Sequence, residues 1–115
     1  AQLGLALLNE KDKHYTEAYD GINSLIEQYP DSAMAYAARG GMEKERGMLE
    51  LAEFDYAKAM ELDASNEDFA FNHVDILIQL GRKDEAYRDL KKLLDAGCQP
   101  GRLQGFYARL KKKKK

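Results

Sequence analysis
The chain has 115 residues, 44% hydrophobic and 33% charged, a length and balance that suit one soluble domain able to bury a core. Its one cysteine, Cys98, excludes an intrachain disulfide, and with only His14 and His73 as further soft ligands no zinc site is expected. The formal charge of −2 hides an asymmetry: Lys111 to Lys115 supply five of 18 basic residues, leaving 13 against 20 acidic ones, or −7, and so acidic a body lacks the basic face of a nucleic-acid binder.

At the start, "AQLGLALLNEKDK" has neither the basic region nor the long apolar core of a signal peptide. No apolar run approaches the ~20 residues of a membrane span. The chain begins without methionine, as a processed or excised piece would. The single cysteine favours a reduced, cytoplasmic setting, with a periplasmic or secreted one left open. The pattern predicts a helix over about 3–12 and a second over 15–29. In the latter, Ala18, Ile22, Leu25, Ile26 and Tyr29 fall on one side at steps of three and four. "PDSA" then offers Asp31 or Ser32 as a cap for a helix over 32–46. Gly47 stops it, because glycine takes the left-handed position after a helix without a Cβ penalty.

A helix over 48–62 follows, with Leu49, Ala52, Tyr56, Ala59, Met60 and Leu62 inward. "ASNED" offers Ser65 as the next cap, with Asp68 three residues on, for a helix over 66–80 that Gly81 ends. The segment 83–96 repeats the pattern with Ala86, Leu90, Leu93 and Leu94. "GCQPG" places Cys98 in a turn, and a last helix runs from about 101 towards the lysines. No segment shows sustained strand alternation, so the reading is all-α.

Sliding the chain against itself by 34 residues aligns Ala18, Ala52 and Ala86 without a gap. The same shift aligns Ile22, Tyr56 and Leu90, then Leu25, Ala59 and Leu93. Gly47 falls on Gly81, and Ala6 on Gly40, Val74 and Ala108. On this period the chain resembles the tetratricopeptide repeat (TPR) family. The second period is nearest, with Tyr36, Arg39, Gly40 and Glu43, then Ala52 and Tyr56, and "AMELDASN" at its end. The third reads Ala70, His73, Val74 and Leu77, then Ala86 and Leu90. The first reads Gln2, Leu5, Ala6 and Asn9, then Ala18, Ile22 and Pro30. There is no tryptophan, and Ala64 and Cys98 stand where a closing proline is expected.

The resemblance implies a right-handed superhelical solenoid of three helix-turn-helix repeats plus a C-terminal capping helix. It makes 1–110 one domain, with repeats at about 1–32, 33–66 and 67–100, a capping helix at about 101–110 and a lysine tail at 111–115. In this frame Gly40 occupies the small-residue place where helices approach closely. Arg39 faces inward and needs a partner. Asp55, at the facing place in the next helix, supplies one, and the period carries the pair to His73 and Asp89. The alternative for Arg39 is a surface pair with Glu43 one turn on.

Resemblance to the family also implies a groove, lined by the first helix of each repeat, that binds an extended peptide or a partner helix. Its places hold Leu3, Leu7, Glu10 and Lys11, then Met34, Ala37, Gly41, Lys44 and Glu45, then Asp68, Phe71, Asp75, Ile78 and Gln79. Gly41 either opens the groove floor or is simply tolerated. Leu7, Met34, Phe71 and Ile78 form an apolar stripe that either binds a partner or packs on a neighbouring repeat or the last helix. The lysine and asparagine clamp that some members use for a terminal carboxylate does not carry over, since Leu3, Leu7, Ala37 and Phe71 stand at its places.

No catalytic constellation is evident. His14 and His73 lack a nearby nucleophile, there is no glycine-rich phosphate loop, and Glu43 and Glu45, two apart on a helix, do not share a face and read as a solvated surface. No enzyme activity, cofactor or metal is expected. The leading expectation is a protein-binding scaffold for a peptide or helix. The alternative is a structural piece of a longer array or a self-associating module. Lys111 to Lys115 are a solvated tail, or else a tether to nucleic acid or an anionic membrane.

Overall fold
The structure, a computed structural model, describes residues 10–112, with side chains from Lys13 onward. Within that span six α-helices follow one another: α1 (Glu10–Gln28), α2 (Ala33–Glu45), α3 (Leu49–Leu62), α4 (Glu67–Gln79), α5 (Lys83–Asp95) and α6 (Gln104–Lys111). A 3-10 turn, Pro100–Leu103, precedes the last. Among the described residues none is in a strand, and no helix is long and apolar enough to cross a membrane.

Glycine writes the turns. Gly47, Gly81 and Gly97 have φ of 79°, 78° and 102°, the left-handed conformation that a Cβ disfavours. At each, the amide of the following residue closes back on the carbonyl five residues earlier. Met48 N reaches Glu43 O at 2.8 Å, Arg82 N reaches Leu77 O at 2.9 Å, and Cys98 N reaches Leu93 O at 2.9 Å. These are Schellman closures, which satisfy carbonyls that a helix end leaves open.

The first period differs from the sequence reading. Lys13 stands one period before Gly47, and there the backbone stays helical, so α1 runs unbroken across the break predicted near residues 13–14. Lysine takes the left-handed turn only at a cost, and without glycine the helix continues. Among the described residues one helix therefore precedes two pairs, α2–α3 and α4–α5. A second difference follows from it. Ala52, Tyr56 and Ala59, and one period later Ala86, Leu90 and Leu93, are buried. Of their first-period equivalents Ile22 is half-buried, Ala18 is exposed and Leu25 is 44% exposed, with Tyr29 also exposed. The stripe predicted to face inward is open because α1 turns its Tyr19 and Asn23 side to α2 instead.

The core has two parts. Ala37, Ala52, Tyr56, Ala59, Phe69 and Ile76 join α2, α3 and α4. Val74, Leu77, Ala86, Leu90, Leu103 and Leu110 join α4, α5 and the C-terminal turn and helix. Cys98 is buried in the second part, and burial pushes its thiol up, away from reactivity. At Gly40 an added Cβ would meet the Tyr56 ring at 2.9 Å, so α2 and α3 close only on glycine. The radius of gyration is 16.5 Å, against about 13 Å for a globule of some 100 residues.

Candidate functional site
Ser32 caps α2, its hydroxyl accepting from Ala35 N at 3.2 Å. The cap of α4 is Asn66, whose side chain accepts from Asp68 N at 2.9 Å. Ser65, the cap expected from the sequence, instead donates its hydroxyl to Asp63 at 2.7 Å. These caps set the start of the two helices that carry most of the candidate residues.

Two polar clusters sit between helices. Arg39 of α2 donates Nε and Nη2 to the two carboxylate oxygens of Asp55 of α3, both at 2.8 Å, and Nη1 to Asn23 of α1 at 2.9 Å. The Asp55 hydrogen bond raises the Arg39 guanidinium further above its usual range. Glu43, one turn on, is also in this cluster. It is 1% exposed, it accepts from the Tyr19 hydroxyl at 2.7 Å, and Arg39 Nε lies 4.0 Å away. The expectation that Glu43 lies on a solvated surface is therefore wrong. The signal was present in the sequence, because Glu43 falls one period before Leu77, which is fully buried.

In the second cluster His73 of α4 lies between two carboxylates. Its Nδ1 pairs with Asp89 of α5, and its Nε2 lies 2.9 Å from Glu53 of α3. Arg82 reaches Glu53 at 3.3 Å and Glu85 at 2.7 Å. Burial would lower the His73 pKa, but the hydrogen bonds to Asp89 and Glu53 outweigh it and raise it. With both ring nitrogens held by carboxylates, the imidazole offers no free lone pair for base catalysis. Glu53 was missed in the sequence because it joins different periods rather than the two helices of one. Between α3 and α5 a cleft of about 490 Å³ is lined by Ala57, Met60, Ala70 and Leu93, with His73 and Asp89 among its walls.

The groove places divide. Leu3 and Leu7 lie outside the described residues, as does the Lys11 side chain. Met34 is 68% exposed, and Glu45 and Gln79 are exposed as well. Ala37 is buried in the core rather than open. Gly41 is half-buried, and a Cβ there would meet only the Tyr56 hydroxyl, at 3.2 Å. Phe71 and Ile78 pack on the α4–α5 core. Phe71 also stacks obliquely on Phe106 of α6 at 5.9 Å, beneath the Arg102 guanidinium at 4.8 Å. Of the two readings of the apolar stripe, packing on the last helix describes Phe71.

A ladder of ion pairs crosses this face. Lys44 of α2 lies 2.7 Å from Asp75 of α4, and Arg109 of α6 lies 2.6 Å from the same carboxylate. Gln79 donates to Asp75 at 2.9 Å, and Lys44 donates to Asn72 at 3.0 Å. Burial works against the Asp75 charge, but hydrogen bonds from Lys44 and Arg109 hold its carboxyl below the usual range.

Stacked antiparallel helix pairs, a 34-residue register and glycine closures one period apart define a tetratricopeptide-repeat fold. Comparison with solved structures agrees. The TPR domain of Arabidopsis OM64 is 25% identical, with a TM-score of 0.73 over 88% of this chain and 84% of that one. The Yersinia enterocolitica type III secretion chaperone SycD, solved with a peptide of the translocator YopD, is 19% identical, with a TM-score of 0.67 over 93% of this chain and 82% of its own. No family model and no curated protein matches the sequence. The chain is an all-α TPR solenoid.

Proposed function
We propose that the chain is a non-enzymatic protein–protein interaction scaffold that holds an extended peptide or a helix along the face shared by α2, α4 and α6. The observation that carries this reading is the Lys44–Asp75–Arg109 ladder, which joins the three helices across one face. Asp75 answers two cations, so the ladder holds a surplus positive charge. Met34 supplies an exposed, adaptable apolar contact on the same side of α2. A segment with an apolar anchor and a nearby acidic residue fits both. SycD, which shares the fold, is known in complex with a peptide, and that precedent adds support.

A peptide-display selection tests the proposal, run on the parent and on a Met34→Glu, Gln79→Glu variant. Both positions are exposed, so the fold is spared; Phe71 and Ile78 are unsuitable because they pack inward. A shared motif enriched on the parent alone is the expected result. Equal enrichment, or none, removes the reading. A second reading, a piece of a longer array or a self-associating module, is favoured by the open Ala18, Leu25 and Tyr29 face of α1. Mass that rises with concentration in light scattering would support it.

A further inference from the structure
We propose that Glu43 holds a proton where it is buried beside the Arg39–Asp55 pair, and that loss of this proton as pH rises weakens the docking of α1 on α2. The argument begins with charge. Two carboxylates, each 1% exposed, sit beside one guanidinium. That guanidinium is already committed, with two bonds to Asp55 and one to Asn23. Arg39 Nε stays 4.0 Å from Glu43, beyond hydrogen-bond length. Glu43 Oε2 accepts from Tyr19, while Oε1 is buried with no hydrogen-bond partner among the described residues.

An ionised Glu43 would leave the cluster with a net negative charge in a site closed to water, with a second carboxylate against the first. A proton on Glu43 removes that charge and turns the contact with Asp55 into a hydrogen bond. Burial first, and then the Asp55 hydrogen bond, push the Glu43 carboxyl up to about 7, against the opposing pull of Tyr19 and Arg39. The groups that face Glu43 are Tyr15 and Tyr19 from α1, Arg39 on α2 itself and Asp55 from α3. Neither phenol compensates. The Tyr19 proton is held more tightly still, its phenol pushed up to about 12 by the Glu43 hydrogen bond and by burial.

When the proton leaves to a solvent base, Glu43 needs water, and the element that can yield is α1. The α2–α3 contact is locked by Gly40 against Tyr56 and by buried Ala52. By contrast α1 meets α2 through the polar contacts of Tyr19 and Asn23 and the stacking of Arg46 over Tyr15. The result is a pH-sensitive hinge independent of the proposed groove, so failure of peptide binding leaves it standing.

Carbon-detected NMR titration of the Glu43 carboxyl in the full chain is the direct test, paired with amide exchange corrected for intrinsic rate. The expected midpoint lies within about one unit of 7. Protection of α1 amides, taken relative to α4 amides in the same molecule, should fall on the order of tenfold per pH unit as pH rises from about 4.5 to that midpoint, and level off above it. Glu43→Gln, which is neutral at every pH, should abolish the fall. A midpoint below about 5.5, a parent whose α1 protection ratio does not change with pH, or a Gln variant that falls equally would each overturn the proposal. Should the variant not fold, the parent titration and exchange decide alone.

Discussion
Arg39 shows how a charged residue is tolerated inside a helical stack. Its planar fork matches the Asp55 carboxylate at two 2.8 Å contacts. Neither partner is well hydrated, so removing one strands the other. We expect Asp55→Ala to destabilise the fold by about 3 kcal/mol, within the range for breaking a buried pair, as read from urea unfolding. A loss below about 0.5 kcal/mol, the size of a surface change, would show that Glu43, Asn23 and water suffice to hold Arg39. One period earlier the Asp55 place is Gly21, where an added Cβ would meet nothing within 4 Å. The bridge therefore belongs to the two closed pairs and does not recur in α1.

For the helices, small differences in terminal chemistry decide where each begins and ends. Asn66 holds two backbone amides at the start of α4, while the neighbouring Ser65 turns away to Asp63. Asn66→Ala should cost about 1 kcal/mol and Ser65→Ala only a few tenths, measured by thermal or urea unfolding of each variant. Equal losses would mean that both side chains share the cap. The same logic governs the other end. Gly47 and Gly81 let α2 and α4 stop, whereas Lys13 at the equivalent place lets α1 run on to 19 residues.

Over the whole molecule, stability should follow two protons held more tightly when folded than unfolded. The Glu43 carboxyl is raised from 4.5 to about 7. Its contribution is complete below 4.5 and is lost as pH rises through about 7. His73 is raised above 6.5, so its contribution is complete below that value and lost as pH rises through the higher folded one. Asp75 and Glu85 run the other way: their carboxyls are lowered, and what they contribute disappears only in acid. The urea midpoint is therefore expected to be highest in mildly acidic solution and to fall steadily through neutral pH. A midpoint that climbs from pH 6 to pH 8 would contradict these assignments.

Much of this molecule was legible in its sequence. A period of 34 residues, apolar steps of three and four, and glycines one period apart are local or repeating signals. They require only that each pair bury the same faces as the next. Ala52 with Ala86, Gly40 beneath Tyr56, and the Arg39 and Asp55 places all follow from that register. What the register could not decide depends on which neighbour a side chain meets. Glu43 looked like half of a solvated pair until α1 and α3 closed over it. Phe71 stood between a groove contact and packing on the last helix until Phe106 of α6 met it, and the Ala18 and Leu25 stripe looked like core although α1 turns its other side to α2. Helical periodicity reports which residues share a face. Only the tertiary structure reports whether that face meets water, a carboxylate or another helix, because burial and charge pairing are properties of the space between elements.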